Sequence, residues 1–424
     1  MKHESVQRMI ATVSEQFPTG RIAEIFANCY GDTIDRTFKR EKDGTSFVIT
    51  GDIPAMWLRD SVCQIRPYLL LCGEDDDLAD MTEGLIKKQF QCIQLDPYAN
   101  AFNETANGMG FQNDKTDMKP YLWERKYEID SLCFPIQLSY LFWKNSGRTS
   151  HFTKQWKATV QKVMEIFRTE QYHESRSGYR FERSGCPFTD TLSRDGMGAQ
   201  VKDGIGLVWS GFRPSDDACT YGYLIPSNMF LTVVLGYTAV IMREIYQDEQ
   251  TAAEADDLAG QVKSAIMEYA LVPGTGKPYY AYEVDGFGKY LVMDDANVPS
   301  LLAMPYMGYC STDDILYRNT AEVILSANNP YFYKGERLSG IGSPHTPAGY
   351  VWDISLAIEG LTASSKEKKL EMIELMTEHD GGTGFMHESI NCDDDSDYTR
   401  EWFSWANALY AELVLDYLGY TVKR

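Results

Sequence analysis

Two adjacent segments decide the fold: WLRDSVCQIRPYLLLC, residues 57–72, and DDLADMTEGLIKKQFQCIQL, residues 76–95. The first would be apolar around most of its circumference as a helix, which is typical of a helix buried inside a protein. The second is amphipathic, because its apolar residues recur at helical spacing: Leu78, Met81, Leu85, Ile86, Phe90 and Ile93. A buried helix followed by a helix with one polar face predicts two packed layers.

The same alternation repeats along the chain. Four more pairs each have an apolar segment followed by one with a polar face: 128–145 with 151–170, 223–246 with 250–271, 297–309 with 313–327, and 349–361 with 366–378. A last apolar helix is predicted at 401–418. Helices at 4–16 and 20–40 come first, and strand-like runs, such as 178–183 and 279–284, are few and short. Five or six such pairs predict an all-α fold, an α/α toroid whose outer helices cover the inner ones.

No low-complexity linker or break in composition divides the chain, so we expect one domain over residues 1–424, with 1–19 as an N-terminal extension helix. The long loops are 97–124, 184–222, 285–296, 329–348 and 379–400. Loops of this length in a compact domain are usually functional or disordered. Their Trp, Asp and Arg content argues against disorder, so we expect them to surround a central pocket at one rim.

The charge of the chain argues against several classes of partner. With 61 acidic and 40 basic residues the formal net charge is −21, so we expect no nucleic-acid and no membrane partner. No run of 18 or more apolar residues appears, and the N-terminal MKHESVQRMIATVSEQFP has no apolar signal region. We therefore predict a cytoplasmic protein, and nothing in the sequence indicates an obligate protein partner.

The sequence shows no pattern typical of a metal site. Nine cysteines, an odd number at wide spacing with no CxxC pair, indicate reduced thiols. The six histidines form no HExxH motif. The acidic run Asp393–Asp397 lacks the glycine and the terminal glutamate of an EF-hand loop, so a solvated acidic loop is the better interpretation. We predict no metal and no cofactor.

The motif GDIPAMWLRDS, residues 51–61, places Trp57, Arg59 and Asp60 at the start of an apolar helix. An adjacent arginine and aspartate that face a pocket offer a forked donor and an acceptor to neighbouring sugar hydroxyls. The alternative is an ion pair at a helix start beside a tryptophan of the core. The 27 tyrosines and 8 tryptophans suit sugar rings in the same way, although most aromatic residues are expected to fill helix seams.

Two further motifs carry carboxylates that suit acid–base chemistry. Asp216 and Asp217 follow WSGFRPS just before an apolar helix, where a poorly hydrated rim would favour the protonated form that a general acid needs. The alternative is helix capping by both. Glu388 follows a glycine-rich turn beside His387, and a carboxylate held ionised by donors can accept a proton from water. Glu401 competes with it, but an ion pair in the last helix is the better interpretation there.

Weaker candidates lie at the starts of other apolar helices. They are Asp130 in EIDS, Asp294 and Asn297 in MDDANVPS, His345 in GIGSPHTP, and Trp405 in REWFSWAN. Each motif alone is ordinary turn chemistry. Their shared position at helix starts predicts that they converge on the same rim, where they would bind substrate.

Together, GDIPAMWLRDS, SGFRPSDDACTYGYLIPSNMF, MDDANVPSLL, GIGSPHTP and the MHES…TREWFSWAN block resemble glycoside hydrolase family 125, from about residue 20 to the C-terminus. The resemblance implies an (α/α)6 barrel and an exo-acting, inverting, metal-independent α-1,6-mannosidase that acts on oligosaccharides in carbohydrate metabolism and N-glycan degradation. It also implies that the general acid is one of Asp216 and Asp217 and the general base is Glu388. The WLRD element is similar to the WxRD of glucoamylase-like barrels, which implies that Arg59 and Asp60 hold the terminal sugar.

Two other functions remain compatible with these motifs. An inverting phosphorylase on the same barrel would need basic residues and histidines around the base, and only His387 is adjacent to Glu388 in sequence. A noncatalytic glycan-binding protein would bind a mannobiose without cleaving it. The hydrolase hypothesis predicts that an aspartic acid and Glu388 face each other across a sugar-sized space with room for water.

Overall fold

The computed structural model describes residues 3–274 and 276–424, which are predominantly helical. The helices are α1 (Glu4–Gln16), α2 (Ile22–Asp32), α3 (Leu58–Ile65), α4 (Asp76–Leu95), α5 (Ile129–Ser146), α6 (Lys154–Glu170), α7 (His173–Arg176), α8 (Ser193–Gly196), α9 (Ile225–Glu244), α10 (Glu249–Tyr269), α11 (Met304–Met307), α12 (Ile315–Ile324), α13 (Asp353–Leu361), α14 (Lys366–Glu378) and α15 (Ser404–Tyr417). A π-helical turn covers Thr33–Thr37, and 3₁₀ turns cover Arg66–Leu70 and Phe188–Asp190.

The strands are short and antiparallel. They are β1 (Phe38–Arg40), β2 (Ser46–Val48), β3 (Met56–Trp57), β4 (Ala101–Phe102), β5 (Leu122–Glu124), β6 (Tyr223–Leu224), β7 (Glu283–Val284), β8 (Tyr290–Leu291), β9 (Phe332–Lys334), β10 (Ser339–Ile341), β11 (Tyr350–Val351), β12 (Ser389–Asn391) and β13 (Tyr398–Thr399). They form the sheets β1-β2, β9-β10, β3-β4-β5, β6-β7-β8 and β11-β12-β13. In β3-β4-β5, Met56 pairs with Phe102 and Trp57 with Ala101. The predicted all-α class is confirmed.

The helices form two layers, as predicted. In the inner layer α3 packs on α5, α5 on α9, α9 on α11, α13 on α15 and α15 on α3. All eight residues of α3 are buried, and so is the run from Ser404 to Leu415 in α15. The outer layer comprises α2, α4, α6, α10, α12 and α14. This arrangement is the predicted (α/α)6 barrel, and buried apolar residues from Val6 to Leu415 form one cluster.

Local chemistry fixes the ends of the helices. The Asp75 carboxylate caps α4 by accepting hydrogen bonds from the backbone N–H groups of Asp77 and Leu78, at 3.1 and 3.0 Å. The apolar stripe of α4 that the sequence predicted is buried. Helix α5 ends at Gly147, whose φ of +74° lies in the left-handed region that glycine adopts without steric cost. Helix α1, Glu4–Gln16, has the bounds predicted for the first helix.

Helix α9 is long and apolar enough, by length and composition, to cross a membrane. However, 72% of its most apolar 18-residue window is buried inside the protein. It packs against α5 on one side and α10 on the other. Its hydrophobicity is therefore accounted for by its place in the inner layer of the barrel.

Three predicted elements differ in the structure. The helix predicted at 20–40 is α-helical only to Asp32, continues as the π-helical turn Thr33–Thr37, and stops where β1 pairs with β2. The segment 297–309 is helical only at Met304–Met307, since the Asp294 carboxylate holds the N–H groups of Leu301 and Leu302. The run 178–183 forms a single bridge, between Glu182 and Lys115, instead of a strand.

The inner helices α3, α5, α9, α13 and α15 all begin at one rim of the barrel. The sheets β3-β4-β5, β6-β7-β8 and β11-β12-β13 lie there because their strands lead directly into these helices. A bridge between Gly51 and Phe403 joins the loops before α3 and α15. The approach is close: a Cβ on Gly51, where φ is +132°, would lie 2.5 Å from the Trp402 carbonyl oxygen. This rim holds the candidate active site.

Candidate active site

A cavity of about 210 Å³ opens at the rim where the inner helices begin. This volume is smaller than that of sites for drug-sized ligands, about 300–1,000 Å³, so the cavity suits a small ligand. Its lining residues are Thr50, Ile53, Trp57, Arg59, Asp60, Pro214, Ser215, Asp216, Asn297, His345, Trp352, Glu388, Arg400, Phe403 and Trp405. The structure thus brings together eight of the eleven site residues predicted from the sequence, and Asp130, Asp217 and Asp294 do not line the cavity.

Arg59, in the first turn of α3, organises the carboxylates on one side of the cavity. Its buried guanidinium donates from Nη1 to Glu128 and, at 3.3 Å, to Asp130. Its Nη2 donates to Asp216 at 3.3 Å, and its Nε lies 3.5 Å from Asp60. Burial disfavours the charged form of Arg59, but the surrounding carboxylates outweigh burial and raise its pKa well above the usual value. Arg59 is therefore a permanent cation that holds four acidic side chains in place.

Asp216 reaches the cavity from the loop before α9, with a side chain that is 23% exposed. Its Oδ1 accepts hydrogen bonds from Trp57 Nε1 at 3.3 Å and Asn100 Nδ2 at 3.1 Å. Its carbonyl oxygen accepts one from Lys126 Nζ at 2.7 Å. The φ of Asp216 is +69°, a conformation that is uncommon outside glycine and that clusters at functional sites. The backbone is thus held so that this carboxylate faces the cavity.

Glu128 and Asp216 are neighbouring carboxyl groups that share Arg59 and Asn100 as partners and have opposite pKa shifts. Burial, reinforced by the charges of Asp216 and Asp130, raises the pKa of Glu128 well above its usual value. Burial acts in the same direction on Asp216, but Arg59 and Lys126 outweigh it and lower the pKa of Asp216. Two such close carboxyl groups do not both ionise readily. The raised pKa of Glu128 favours a proton on this pair, beside the cavity, whereas the charged form of Asp216 itself is favoured, contrary to the expectation from the sequence.

Glu388 enters the cavity from the residue before β12. Its Oε2 accepts a hydrogen bond from Thr399 Oγ1 at 3.0 Å, and its Oε1 lies 3.5 Å from Arg400 Nη1. Arg400 is in turn fixed by Asp52, to which its Nε donates at 3.1 Å. Among the hydrogen bonds and ion pairs of the described residues, Glu388 and Asp216 share no partner. Two independently held carboxylates thus face one cavity.

Asp217 is buried behind the cavity wall and pairs with His345. The His345 Nδ1 lies 3.1 Å from Asp217 Oδ1, and the imidazole is 38% exposed. Burial opposes protonation of His345, but the hydrogen bond with Asp217 and the charges of Asp217, Glu388 and Asp216 outweigh burial and raise its pKa to about 9. His345 is therefore a cation at neutral pH, and its charge is exerted on both cavity carboxylates.

The remaining walls combine aromatic faces with polar groups. Trp57, Trp352, Phe403 and Trp405 supply the aromatic surface. Burial raises the pKa of Asp60 to about 6; Arg59 opposes this shift and the charge of Asp216 adds to it. The Oδ2 atom of Asp60 is buried without a hydrogen-bond partner. Flat apolar faces beside polar side chains suit a ligand with both an apolar face and hydroxyl groups, as a sugar has.

Two of the predicted substrate-binding residues lie behind the cavity wall. Asp130 is buried between Arg59 and Ser227, whose hydroxyl donates to it at 3.2 Å. Asp294 is buried and accepts the N–H groups of Leu301 and Leu302 at 2.8 and 2.9 Å. Asn297, by contrast, lines the cavity.

Other residues of the site were not selected from the sequence. Glu128 lies two residues before Asp130 in the same motif, and only its contact with Asp216 distinguishes it. Asn100 is in the long loop 97–124, with no motif around it. Arg400 directly precedes Glu401, and no local pattern marks it as a site residue. Glu401 itself is exposed and is not among the lining residues, so it does not compete for the site.

Within residues 3–274 and 276–424, no group of three or more His, Cys, Asp and Glu side chains is arranged to hold a metal ion. The nine cysteines are free thiols, and seven of them are buried.

Comparison with known proteins adds independent information. Residues 20–415 match the model of a family described as metal-independent α-mannosidase, GH125. The meiotically up-regulated gene 157 protein of Schizosaccharomyces pombe is 37% identical, over 98% of this chain and 86% of its own length. A metal-independent α-mannosidase of Streptococcus pneumoniae, solved as a non-productive complex with α-1,6-mannobiose, is 46% identical and covers 99% of each chain with a TM-score of 0.96. A bacterial glucoamylase bound to acarbose is 12% identical over 87% of this chain and 49% of its own, with a TM-score of 0.57, and shares the fold alone.

Proposed function

The chain belongs to glycoside hydrolase family 125, the metal-independent α-mannosidases, and on this premise we propose that it removes single nonreducing mannose units from α-1,6-linked mannosides with inversion at the anomeric carbon. The observation that carries this proposal is that Asp216 and Glu388 line the same cavity from separate loops, each held by its own partners. An inverting glycosidase needs two such carboxyl groups, one on each side of the scissile bond.

Asp216 is the proposed general acid. It faces the cavity, whereas Asp217 is buried against His345. The proton retained by the Glu128–Asp216 pair is available for the leaving oxygen, and a protonated Asp216 would be a strong acid because Arg59 and Lys126 favour its charged form. Glu128 does not line the cavity, so it acts through Asp216 as a positioning residue.

Glu388 is the proposed general base. The hydroxyl of Thr399 and the guanidinium of Arg400 donate toward its two oxygens and hold the carboxylate in one orientation. In this role Glu388 accepts a proton from a water molecule, which attacks the anomeric carbon as the leaving oxygen is protonated by Asp216. The space for that water is the reason that the carboxyl groups of inverting enzymes stand about 6.5–9.5 Å apart.

The terminal mannose is held by the groups that surround the two carboxylates. We propose that Arg59 and Asp60 contact its hydroxyls and that Trp57 and Trp405 form walls against its ring. Asn297 and His345 complete the polar lining. Asp130 contributes by holding Arg59 in place, and Asp294 contributes by holding the loop before α11. In this scheme neither aspartate touches the sugar.

The proposed α-1,6 linkage rests on the pneumococcal relative, and the proposed exo mode rests on the shape of the site. The pneumococcal enzyme binds α-1,6-mannobiose, and its family bears on the processing of N-linked glycans. We extend both features to this chain as its substrate class. Removal of one unit at a time follows if the cavity encloses the terminal sugar and leaves the next one at its mouth.

The test is incubation of the purified protein with α-1,6-mannobiose, with and without inorganic phosphate. We expect free mannose to be released at the same rate with phosphate and without it. Formation of mannose 1-phosphate would identify a phosphorylase instead. The structure argues against a phosphate site, because the cations near Glu388, which are Arg400 and His345, already have carboxylate partners. Binding without cleavage would refute the proposed activity.

A further inference from the structure

Outside the cavity, the loops 97–124 and 184–222 expose aromatic rings to solvent at the same rim. Phe188 is 87% exposed and Phe111 is 43% exposed. Exposed single apolar residues are common, but rings that two fixed loops present next to a binding site form a surface that a ligand can use.

Phe188 is tied to the backbone of the proposed acid. It begins the 3₁₀ turn Phe188–Asp190, in which the carbonyl of Thr189 accepts the N–H of Ala218 at 2.7 Å. In the same turn Asp190 forms an ion pair with Lys126. Lys126 also donates to the carbonyl of Asp216 at 2.7 Å. The turn that presents Phe188 is therefore part of the structure that positions Asp216.

Phe111 is joined to the same turn through Arg183. The Arg183 guanidinium lies 3.6 Å from the centroid of the Phe111 ring. Its Nη1 donates to Asp190 Oδ2 at 2.9 Å and its Nη2 to Asp114 Oδ2 at 2.7 Å. The Arg183 side chain is buried, so this bridge between the two loops is fixed. Phe111 and Phe188 are therefore two rings on one rigid support.

The loop that carries Phe111 is also joined to the cavity wall. The backbone N–H of Phe111 donates to the carbonyl of Trp123 at 2.8 Å. Trp123 packs against the small apolar cluster of Ala55, Trp57 and Ala101, which Ile53 also joins. Trp57 and Ile53 line the cavity itself. The backbone at Phe111 is thus fixed to the strand that supports this wall.

We propose that Phe111 and Phe188 form a platform for the sugars on the reducing side of the cleaved bond, so that the enzyme acts better on α-1,6-mannan oligosaccharides than on the disaccharide. This inference rests on the proposed function, because the general acid must stand beside the leaving sugar and the platform adjoins Asp216. Aromatic faces bind the apolar faces of sugar rings, which makes a glycan chain the occupant that this surface fits.

The experiment compares kcat/KM for α-1,6-linked mannobiose and mannotetraose. In the wild-type protein we expect the tetrasaccharide to be the better substrate. Phe188→Ala and Phe111→Ala should each lower the ratio of the two constants about 2- to 10-fold, the effect of losing one aromatic contact. Phe188→Tyr, which keeps the ring, should restore the ratio. Tyr420→Ala removes an exposed ring beyond the far end of α15 and should leave the ratio unchanged.

The outcomes separate the platform from the activity itself. If the wild-type protein cleaves both substrates with equal kcat/KM, or if Phe188→Ala leaves the ratio unaltered, the platform is refuted and the proposed activity stands. If neither substrate is cleaved, the proposed function fails and the platform fails with it. Because Phe188 is almost fully exposed, its replacement does not disturb the core, and the ratio remains a valid measurement.

Discussion

The side chains of Asp216 and Asp217 point to different partners although the two residues are adjacent. Asp216 faces the cavity and contacts Trp57, Arg59 and Asn100. Asp217 lies behind the wall and pairs with His345. The sequence left open which of the two is the acid, and this divergence is the structural reason to choose Asp216.

Replacing each aspartate separately tests this choice. Asp216→Asn should lower kcat/KM on α-1,6-mannobiose by about 10²- to 10⁴-fold, the usual contribution of a general acid. The loss should be much smaller on an aryl α-mannoside with a dinitrophenolate leaving group, which departs without a proton. Asp217→Asn should cost less activity, and it should lower the pKa of His345 from about 9 because the hydrogen bond and the charge of Asp217 are removed. If Asp217→Asn lowered kcat/KM on mannobiose more than Asp216→Asn does, the general acid would be Asp217.

Glu388→Gln should inactivate the enzyme on both the mannobiose and the aryl mannoside. Activation of water is needed whatever the leaving group is, so a better leaving group does not compensate for a missing base. The matched control is Glu401→Gln, which changes an exposed glutamate outside the cavity and should retain wild-type rates. Rescue of Glu388→Gln by the aryl substrate would contradict its assignment as the base.

Glu128→Gln tests the shared proton of the Glu128–Asp216 pair. With glutamine at 128, the pair loses the carboxyl group whose pKa is raised, and Asp216 remains beside Arg59 and Lys126, which favour its charged form, so less proton is available to the leaving oxygen at neutral pH. We expect a loss of about tenfold or more in kcat/KM. The basic limb of the pH–rate profile should also move to lower pH. A lower rate with an unmoved profile would mean that Glu128 acts only on the structure.

Asp353 gives a prediction for stability. It begins α13, and burial raises its pKa to about 7 although it accepts the N–H of His387 at 2.6 Å. A carboxyl group whose pKa is higher in the folded state stabilises the protein when protonated, and this stability is lost as the pH rises from about 4 through about 7. Asp353→Asn keeps an acceptor for His387 but does not titrate. The Tm of the variant relative to wild type should therefore rise between pH 5 and pH 8, and a constant difference would argue against the raised pKa.

Much of the barrel could be predicted because its helices are specified locally. The apolar stripe predicts α4 at 76–95, and the structure has it at Asp76–Leu95. Where a segment depends on distant partners the prediction fails. The helix predicted through residue 40 stops because β1 pairs with β2, and the helix predicted at 297–309 is short because the carboxylate of Asp294 takes two of its N–H groups.

The site was predictable where a motif carries it and not where it is assembled from distant loops. Trp57, Arg59, Asp60, Asp216 and Glu388 lie in motifs that stand out in the sequence, and all of them line the cavity. The proximity of Glu128 to Asp216, by contrast, exists only after α5 and the loop before α9 come together. No local pattern separates Glu128 from its neighbour Asp130, and only the folded structure shows which of them contacts Asp216.

The stereochemistry of the first product is the most direct test of the pair Asp216 and Glu388 as acid and base of a single displacement. Proton NMR of the anomeric signals during the first minutes of α-1,6-mannobiose hydrolysis distinguishes the two anomers before they equilibrate in water. A single displacement predicts that β-mannose appears first and that α-mannose grows in later by mutarotation. The initial appearance of α-mannose would contradict it, because retention requires a covalent intermediate and a different role for Glu388.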